Sequence, residues 1–478
     1  MTELPVDFVA DASSAERLTD ASGSLRGVEI DTRRLRGGNL FFALAGERTD
    51  GHAFLTQALD AGAAGLVIHH PPDADLLAAH PDVAWLRVED TYTALHDLTR
   101  AVRRRLPEKL AAITGSAGKT TTKELLAALL ARRFRTERSP GNFNNLYGFP
   151  LALLNIADDC QWMVAEMGMS TPGELGQVSR LGRPDVAIFT NVRPVHLENF
   201  PNLRGIAEAK AELLHGLVDG GLVIYNADDP EVVGLVERHA PASARRISYG
   251  FAPLESHGPA DVHGADLQAF EDGRIGSRFE IQAHGERATV ELPVHGLYNA
   301  ENFLAAATCA LQAGVPLDDI VAAAAAFQPH TKRGEVHRPA GGPTVIDDSY
   351  NSNPDAAIRA LDSAKRLPAQ RRWAVLGDML ELGPDAEAFH AQVGERAAAL
   401  GFDVVGVGPL SSALVEAARR SGGNAVHLED AEATSQWLLE RFGAGDLGPG
   451  DLVLIKGSRG IGLDVASRAL LSACEEHA

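Results

Sequence analysis

Apolar and polar positions fall into two alternating rhythms along the 478 residues. Up to about residue 107, short apolar runs (GVEIDT, NLFFALAG, AGLVIHH, VAWLRVED) predict strands. Between them, HAFLTQALDAGA and TYTALHDLTRAVRRRL repeat apolar residues at helical spacing. The second of these ends Arg-rich just before Pro107, which suits a helix C-terminus and a domain boundary. Residues 108–330 carry longer apolar runs: KLAAIT, WMVAEM, DVAIFTNV and GLVIYN. Runs apolar at nearly every position, separated by helices, predict a parallel sheet covered on both faces. From 244 to 295 alternation and a turn signal at Glu271-Asp272-Gly273 predict an antiparallel excursion on that sheet. It ends in a helix, YNAENFLAAATCALQAG, closed by Gly314. Residues 331–478 repeat the strand–helix rhythm with PTVIDDS, RWAVLGD, FDVVGVG and DLVLIKG, a second open sheet.

The expected fold is therefore α/β in three domains. They are a small α/β unit (1–107), a central parallel-sheet unit (108–330) and a C-terminal Rossmann-like open α/β unit (331–478). No internal repeat or low-complexity tract interrupts them. The apolar run VAAAAAF at 321–327 is too short to span a bilayer, and its alanines read as a helix surface.

Composition narrows the function. With 44 Lys+Arg against 64 Asp+Glu the formal charge is −20, which argues against a surface built to hold nucleic acid or anionic lipid. A local basic pocket for a phosphorylated small molecule stays open. Three cysteines (Cys160, Cys309, Cys474) offer neither a disulfide framework nor paired zinc-ligand spacing, and suit a reducing cytoplasm. The first residues lack a basic region before an apolar core, so no signal peptide is expected. Only seven of the 44 cations are lysine, so each lysine inside a motif carries more information.

Thr114-Gly115-Ser116-Ala117-Gly118-Lys119-Thr120 stands between a predicted strand and a predicted helix. Glycines there let backbone N–H groups approach phosphate oxygens, and the helix start turns its positive dipole end toward the anion. Lys119 can reach outer phosphates, and Thr120 can offer a hydroxyl to Mg²⁺. The loop is shorter than the standard phosphate loop, because the position five before Gly118 is Ile113. Glu166 ends the run WMVAEM, where ligands bind in open α/β sheets. With His196 it could hold a second Mg²⁺, although histidine suits zinc better, and His196 alone reads as an ordinary loop residue. Lys210, in IAEAKAELL, reads on its own as a solvated helix lysine. Asp347 and Asp348 close a strand before the turn SYNSNP. In KGSRG, Lys456 and Arg459 flank glycine at a strand end, which suits an anion or a carboxylate and equally a plain loop.

Taken in order, TGSAGKTTTKE, NFNNLYGFP, EMGMSTPGEL, TNVRPVHLENF, IAEAKAELL, HGLYNAENFLAAA, DDSYNSNP, VLGDMLELG and KGSRG resemble the Mur ligases of bacterial cell-wall synthesis. DDSYNSNP and EMGMS look like the branch that adds D-alanyl-D-alanine, and the stretch from DTRRLRGG to ALDAGA is similar to that family's UDP-binding domain. The resemblance implies an ADP-forming acid–amine ligase in peptidoglycan synthesis, serving cell shape and cell division. It would join D-alanyl-D-alanine to UDP-N-acetylmuramoyl-tripeptide through an acyl phosphate, using ATP and Mg²⁺, as a cytoplasmic monomer.

The same resemblance implies roles. Residues Thr114, Gly115, Ser116, Ala117, Gly118, Lys119 and Thr120 would hold the nucleotide phosphates, and Thr120, Glu166, His196 and a carbamylated Lys210 would ligate Mg²⁺. Asn299 and Asn302 would lie near adenine, with Arg333 and either Asp347 or Asp348 reaching the nucleotide. Thr32, Arg33 and His52 would meet the UDP end. Asn144, Asn145, Ser170, Asn351, Asn353, Lys456 and Arg459 would face the muramoyl-peptide or the dipeptide. The last block would close on the second, bringing Arg333 and Asp348 over ATP. KGSRG ends in Gly where many relatives have Ser, and that position receives no role.

The rivals are a sibling ligase adding another amino acid, a folylpolyglutamate synthase, a silent paralogue, and a phosphate-loop ATPase or regulator without ligation. The arginine motif of the diaminopimelate-adding sibling is absent. Folate ligases lack the first block's pattern. A bare ATPase leaves the third block without a use.

Overall fold

The computed structural model describes residues 3–46, 49–106, 109–195, 197–252, 260–270, 274–328 and 332–477. His196, the Glu271–Gly273 turn and both expected boundaries (107/108 and 330/331) lie outside the described residues.

Three sheets carry the chain. The first has five strands: Glu16–Arg17 pairs antiparallel with Ala84–Arg87, and Gly65–Ile68, Leu40–Phe42 and Val28–Glu29 follow in parallel. A separate short pair, Glu3–Pro5 with Ser24–Arg26, was not anticipated, because three-residue strands show no period. Leu55–Asp60 and Thr91–Arg105 are the two anticipated helices, the first led in by a 3₁₀ turn, Gly51–Phe54.

The central sheet has nine strands, with Lys109–Thr114 third from the edge formed by Thr136–Arg138. Trp162–Glu166 and Val186–Phe189 flank that strand in parallel, and both are fully or nearly buried. Unbroken apolar sequence is the consequence of helices on both faces: Lys119–Leu130 and Tyr298–Gln312 pack together on one side. The excursion at 244–295 differs from expectation. Arg245–Gly250 pairs parallel with Leu222–Asn226, and Val262–Ala269 begins parallel to it. Only Val262–Ala269, Ser277–Ala283 and Glu286–Leu292 form an antiparallel run. The alternation in RRISYG does not mark a reversed strand, since direction is set by the connection and not by side-chain period.

The C-terminal sheet orders Glu335–His337, Thr344–Asp348, Leu452–Lys456, Arg372–Gly377, Asp403–Val407 and Ala425–Leu428, all parallel except the first. Its two faces are covered by separate apolar clusters, one around Leu361 and Phe402, the other around Leu438 and Leu470. The alanine-rich helix Leu317–Ala325 buries Ala323 and Ala324 and exposes Ala322 and Ala325, so it is half core rather than surface. Among the described residues no helix is long and apolar enough to cross a membrane.

Candidate active site

The strand Lys109–Thr114 runs into the loop 115–118, and the helix Lys119–Leu130 starts immediately after it. Gly115 (φ +153°) and Gly118 (φ +83°) are required there. A Cβ on Gly115 would collide with Thr190 Oγ1, and one on Gly118 with Asn302 Oδ1. The loop is fastened to the neighbouring strand end: Ala117 N donates to Asn191 Oδ1 at 2.9 Å and Ser116 N to the Asn191 carbonyl at 2.9 Å. Asn191 was not singled out from sequence, although it lies in the stretch TNVRPVHLENF.

A cavity of about 440 Å³ opens above this loop. Lys119 extends into it and donates to the Gly115 carbonyl at 2.8 Å. Glu166, at the end of its strand, is 5 % exposed. Its carboxylate accepts from Thr120 Oγ1 at 2.5 Å and from Asn144 Nδ2 at 2.8 Å. Burial alone would raise its pKa, but Lys119, the Thr120 and Asn144 hydrogen bonds and Arg333 outweigh that and hold it below the usual value. The result is a buried carboxylate kept ionised beside a hydroxyl. That hard oxygen pair fits Mg²⁺.

Lys210 is 3 % exposed on the helix Leu203–Ala211 and lines the same cavity. The solvated-lysine reading is corrected by this burial. Desolvation, aided by the like charge of Lys119, pushes its amine well below the ordinary lysine value. The helix turns an apolar face inward (Ile206, Ala207, Ala209, Ala211) and takes Lys210 in with it.

The C-terminal sheet faces this edge across the cavity. Arg333, Asp348, Asn351, Asn353, Lys456 and Arg459 all line it, as do Asn145 and Ser170 from the central unit. Arg333 lies with its guanidinium 4.0 Å above the Tyr350 ring, and its Nε is buried without a hydrogen-bond partner. The two aspartates differ in where they point. Asp348 lines the cavity and meets Lys456 Nζ at 2.7 Å, whereas Asp347 turns inward and accepts from Ser349 N and Oγ. Asn353 Oδ1 caps the helix Pro354–Lys365 by accepting from Ala356 N, and Asn145 Oδ1 accepts from Tyr147 N and Gly148 N. Asn302 sits against Gly118 and donates to Asn299, which donates to the His295 carbonyl, so this pair braces the loop from the helix Tyr298–Gln312.

Two ion pairs join the central and C-terminal units beside the cavity: Arg359 with Glu301 at 3.3 Å, and Arg193 with Asp355 at 3.6 Å. Burial raises the Glu301 carboxyl, with Arg359 opposing. None of these four residues was singled out from sequence. Their partners are too far apart along the chain for any spacing rule to link them.

Thr32, Arg33 and His52 do not line this cavity. Thr32 Oγ1 donates to Gln57, and Arg33 forks onto Asp31. His52 meets Asp50, and its ring stacks on His70 at 3.9 Å with His69 at 4.1 Å. Asp50, His52, His69 and His70 bring one potential ligand atom each within 4.8 Å. However, Nδ1 of His52 contacts Asp50 at 2.8 Å and its Nε2 accepts from His69 N at 3.1 Å. Both ring nitrogens of His52 are thus committed to protein groups, and the three imidazoles stack against one another.

Family models match in chain order: Mur ligase family, catalytic domain (24–103); Mur ligase middle domain (113–310); and Mur ligase, glutamate ligase domain (332–459). The UDP-N-acetylmuramoyl-tripeptide–D-alanyl-D-alanine ligase of Escherichia coli (strain K12) is 34 % identical over 463 residues, 95 % of this chain and 97 % of that one. The chain belongs to the Mur ligase family. The crystal structure of MurF from Acinetobacter baumannii superposes with a TM-score of 0.86 at 28 % identity, covering 99 % of each chain. MurF from Thermotoga maritima, solved in complex with ADP, gives 0.79 at 27 % identity over 95 % of this chain and 99 % of that one. The fold is accordingly the three-domain α/β arrangement of the Mur ligases.

Proposed function

We propose that this ligase joins D-alanyl-D-alanine to UDP-N-acetylmuramoyl-tripeptide with conversion of ATP to ADP and phosphate, yielding the UDP-muramoyl-pentapeptide used for peptidoglycan. One observation carries the proposal. The phosphate loop, Glu166 and Lys210 share a single cavity with Arg333, Asp348 and Lys456. A terminal phosphate, a carboxylate and an incoming amine can therefore meet between two sheet edges. The relatives' names supply the substrates.

A carboxylate is a poor electrophile at neutral pH. Its oxygen attacks the γ-phosphorus, the bond to the ADP oxygen breaks, and an acyl phosphate results. The uncharged amine of the dipeptide then adds to the carbonyl carbon, loses its proton, and phosphate departs as the amide forms. Two anions must approach each other in the first step, so cations have to screen them. Lys119 at the loop and the partnerless Nε of Arg333 supply that charge in chain side chains. Thr120 and Glu166 would hold Mg²⁺, which screens the phosphates when bound. The lowering of the Lys210 pKa favours the uncharged amine, the form that reacts with CO₂. A carbamate there would add an anionic oxygen ligand on the opposite wall. His196 is the proposed additional ligand. Asn299 and Asn302 are proposed to border the adenine, with Asp348 on the nucleotide. The muramoyl-peptide and dipeptide are assigned to Asn144, Asn145, Ser170, Asn351, Asn353, Lys456 and Arg459.

The units 1–107, 108–330 and 331–478 would serve the UDP end, ATP and the dipeptide in turn, with Thr32, Arg33 and His52 at the UDP end. We place the enzyme in the cytoplasm as a monomer, which its three buried free cysteines favour as regards compartment. A phosphate-release assay with UDP-muramoyl-tripeptide and Mg·ATP tests the whole reading. Turnover should require D-alanyl-D-alanine and fail with single amino acids. Equal phosphate release without any amine would replace the ligase by an ATPase.

A further inference from the structure

Lys123 lies one turn beyond Lys119 on the phosphate helix, does not line the cavity, and is 0 % exposed. Burying an ammonium is expensive, and an apolar side chain would fill the same space without that cost. Its three N–H donors are all used: Ser139 carbonyl at 2.7 Å, Gly141 carbonyl at 3.2 Å and Glu124 Oε1 at 3.3 Å. Glu124 also holds Arg138 on the edge strand Thr136–Arg138, so it balances the charge only in part. The two carbonyls belong to the loop that follows this strand.

That loop reaches Glu166 twice. Ser139 Oγ accepts from Glu166 N at 3.2 Å, and Asn144 Nδ2 donates to Glu166 Oε1 at 2.8 Å. Asn144 is itself held by its carbonyl, which accepts from Gly168 N at 2.8 Å. Helix and loop therefore meet at Glu166 by two routes: directly through Thr120, and indirectly through Lys123, the loop and Asn144.

We propose that Lys123 is a positioning residue of the nucleotide site: it clamps the 139–145 loop to the phosphate helix and so sets the orientation of the Glu166 carboxylate toward a divalent cation. It touches no substrate and acts through Asn144. The inference rests on the reading of Thr120 and Glu166 as the cation-binding pair.

The test uses the full chain with ADP and Mn²⁺ as the spectroscopic stand-in for Mg²⁺, followed by electron paramagnetic resonance. Lys123→Met should weaken Mn²⁺ binding about tenfold, the size of effect seen when a partner of a metal ligand is lost. ADP binding measured in chelator should stay within about twofold of wild type, because Lys123 does not reach the phosphates. The double variant with Asn144→Ala should be no weaker than Asn144→Ala alone, since both changes release the same carboxylate. Unchanged Mn²⁺ affinity in Lys123→Met, or losses that add in the double variant, would overturn the inference. If Lys123→Met melts below the assay temperature, Lys123→Gln, which has two donors in place of three and no charge, takes its place: a smaller loss of Mn²⁺ affinity with ADP binding unchanged is expected, and an unchanged Mn²⁺ affinity would overturn the inference. A wild-type chain that takes up no Mn²⁺ with ADP would remove the reading of the cation pair, and this inference with it.

Discussion

The central sheet and the C-terminal sheet present their strand ends to one cavity, yet they handle charge in opposite ways. On the central side Lys119 hydrogen-bonds only a backbone carbonyl, with the Glu166 carboxylate acting on it through space, and the one charge acting on Lys210 is the like charge of Lys119. On the C-terminal side Lys456 is matched inside the protein, by Asp348 at 2.7 Å and the Asn351 carbonyl at 2.9 Å. A half-buried cation that no carboxylate touches keeps donors ready for an anionic ligand. A paired one holds the turn that carries Asn351 and Asn353. KGSRG suited an anion in sequence, but its lysine already has one.

This contrast can be broken from either side. Lys119→Ala should cut turnover by about 10³-fold, as expected for the loss of a charged donor to a reacting phosphate. Its melting temperature should stay near that of wild type, because the side chain holds only the Gly115 carbonyl.

Lys210→Met should also abolish turnover, yet raise thermal stability at pH 7. The folded pKa of Lys210 lies below its unfolded value, so between the two the unfolded chain binds the extra proton and folding is penalised. Stability of the wild type should therefore climb as pH rises toward the unfolded lysine value, and the advantage of Lys210→Met should shrink over that window. Melting curves from pH 6 to 10 read this directly. A variant less stable than wild type at pH 7 would mean that Lys210 is not a neutral, unpaired amine.

Lys456→Met should do the reverse. Removing one partner of a buried pair strands Asp348, at a cost of about 3 kcal/mol. Adding Asp348→Asn should recover much of that loss in a denaturant titration.

Arg33→Ala sits at the small end. Its pair with Asp31 is exposed on the arginine side, so stability should not change measurably. If Arg33 serves the UDP end, the KM for the uridine substrate should rise several-fold with kcat nearly constant.

The legible parts of the site are the local ones. Gly115 to Thr120 could be read because loop, lysine and helix start are contiguous, and each glycine's need is set within a few residues. Glu166 could be placed because a parallel strand's end is visible as the end of an apolar run. The strand direction at Arg245–Gly250 could not, since alternation is the same in either direction. Glu301 with Arg359, and Arg193 with Asp355, could not either: each pair joins different units, and no period links them.

By itself the sequence determined that the chain folds as alternating strands and helices, where the phosphate loop lies, and which family it joins, because periodicity and contiguous motifs are properties of neighbours along the chain. Only the tertiary structure decided the surroundings of each lysine. Lys210, Lys123 and Lys456 are alike on paper, one lysine each in a helix or strand end. They became an amine whose pKa is pushed down, a brace and an ion pair because packing removed their water and determined which carbonyl or carboxylate, if any, replaced it.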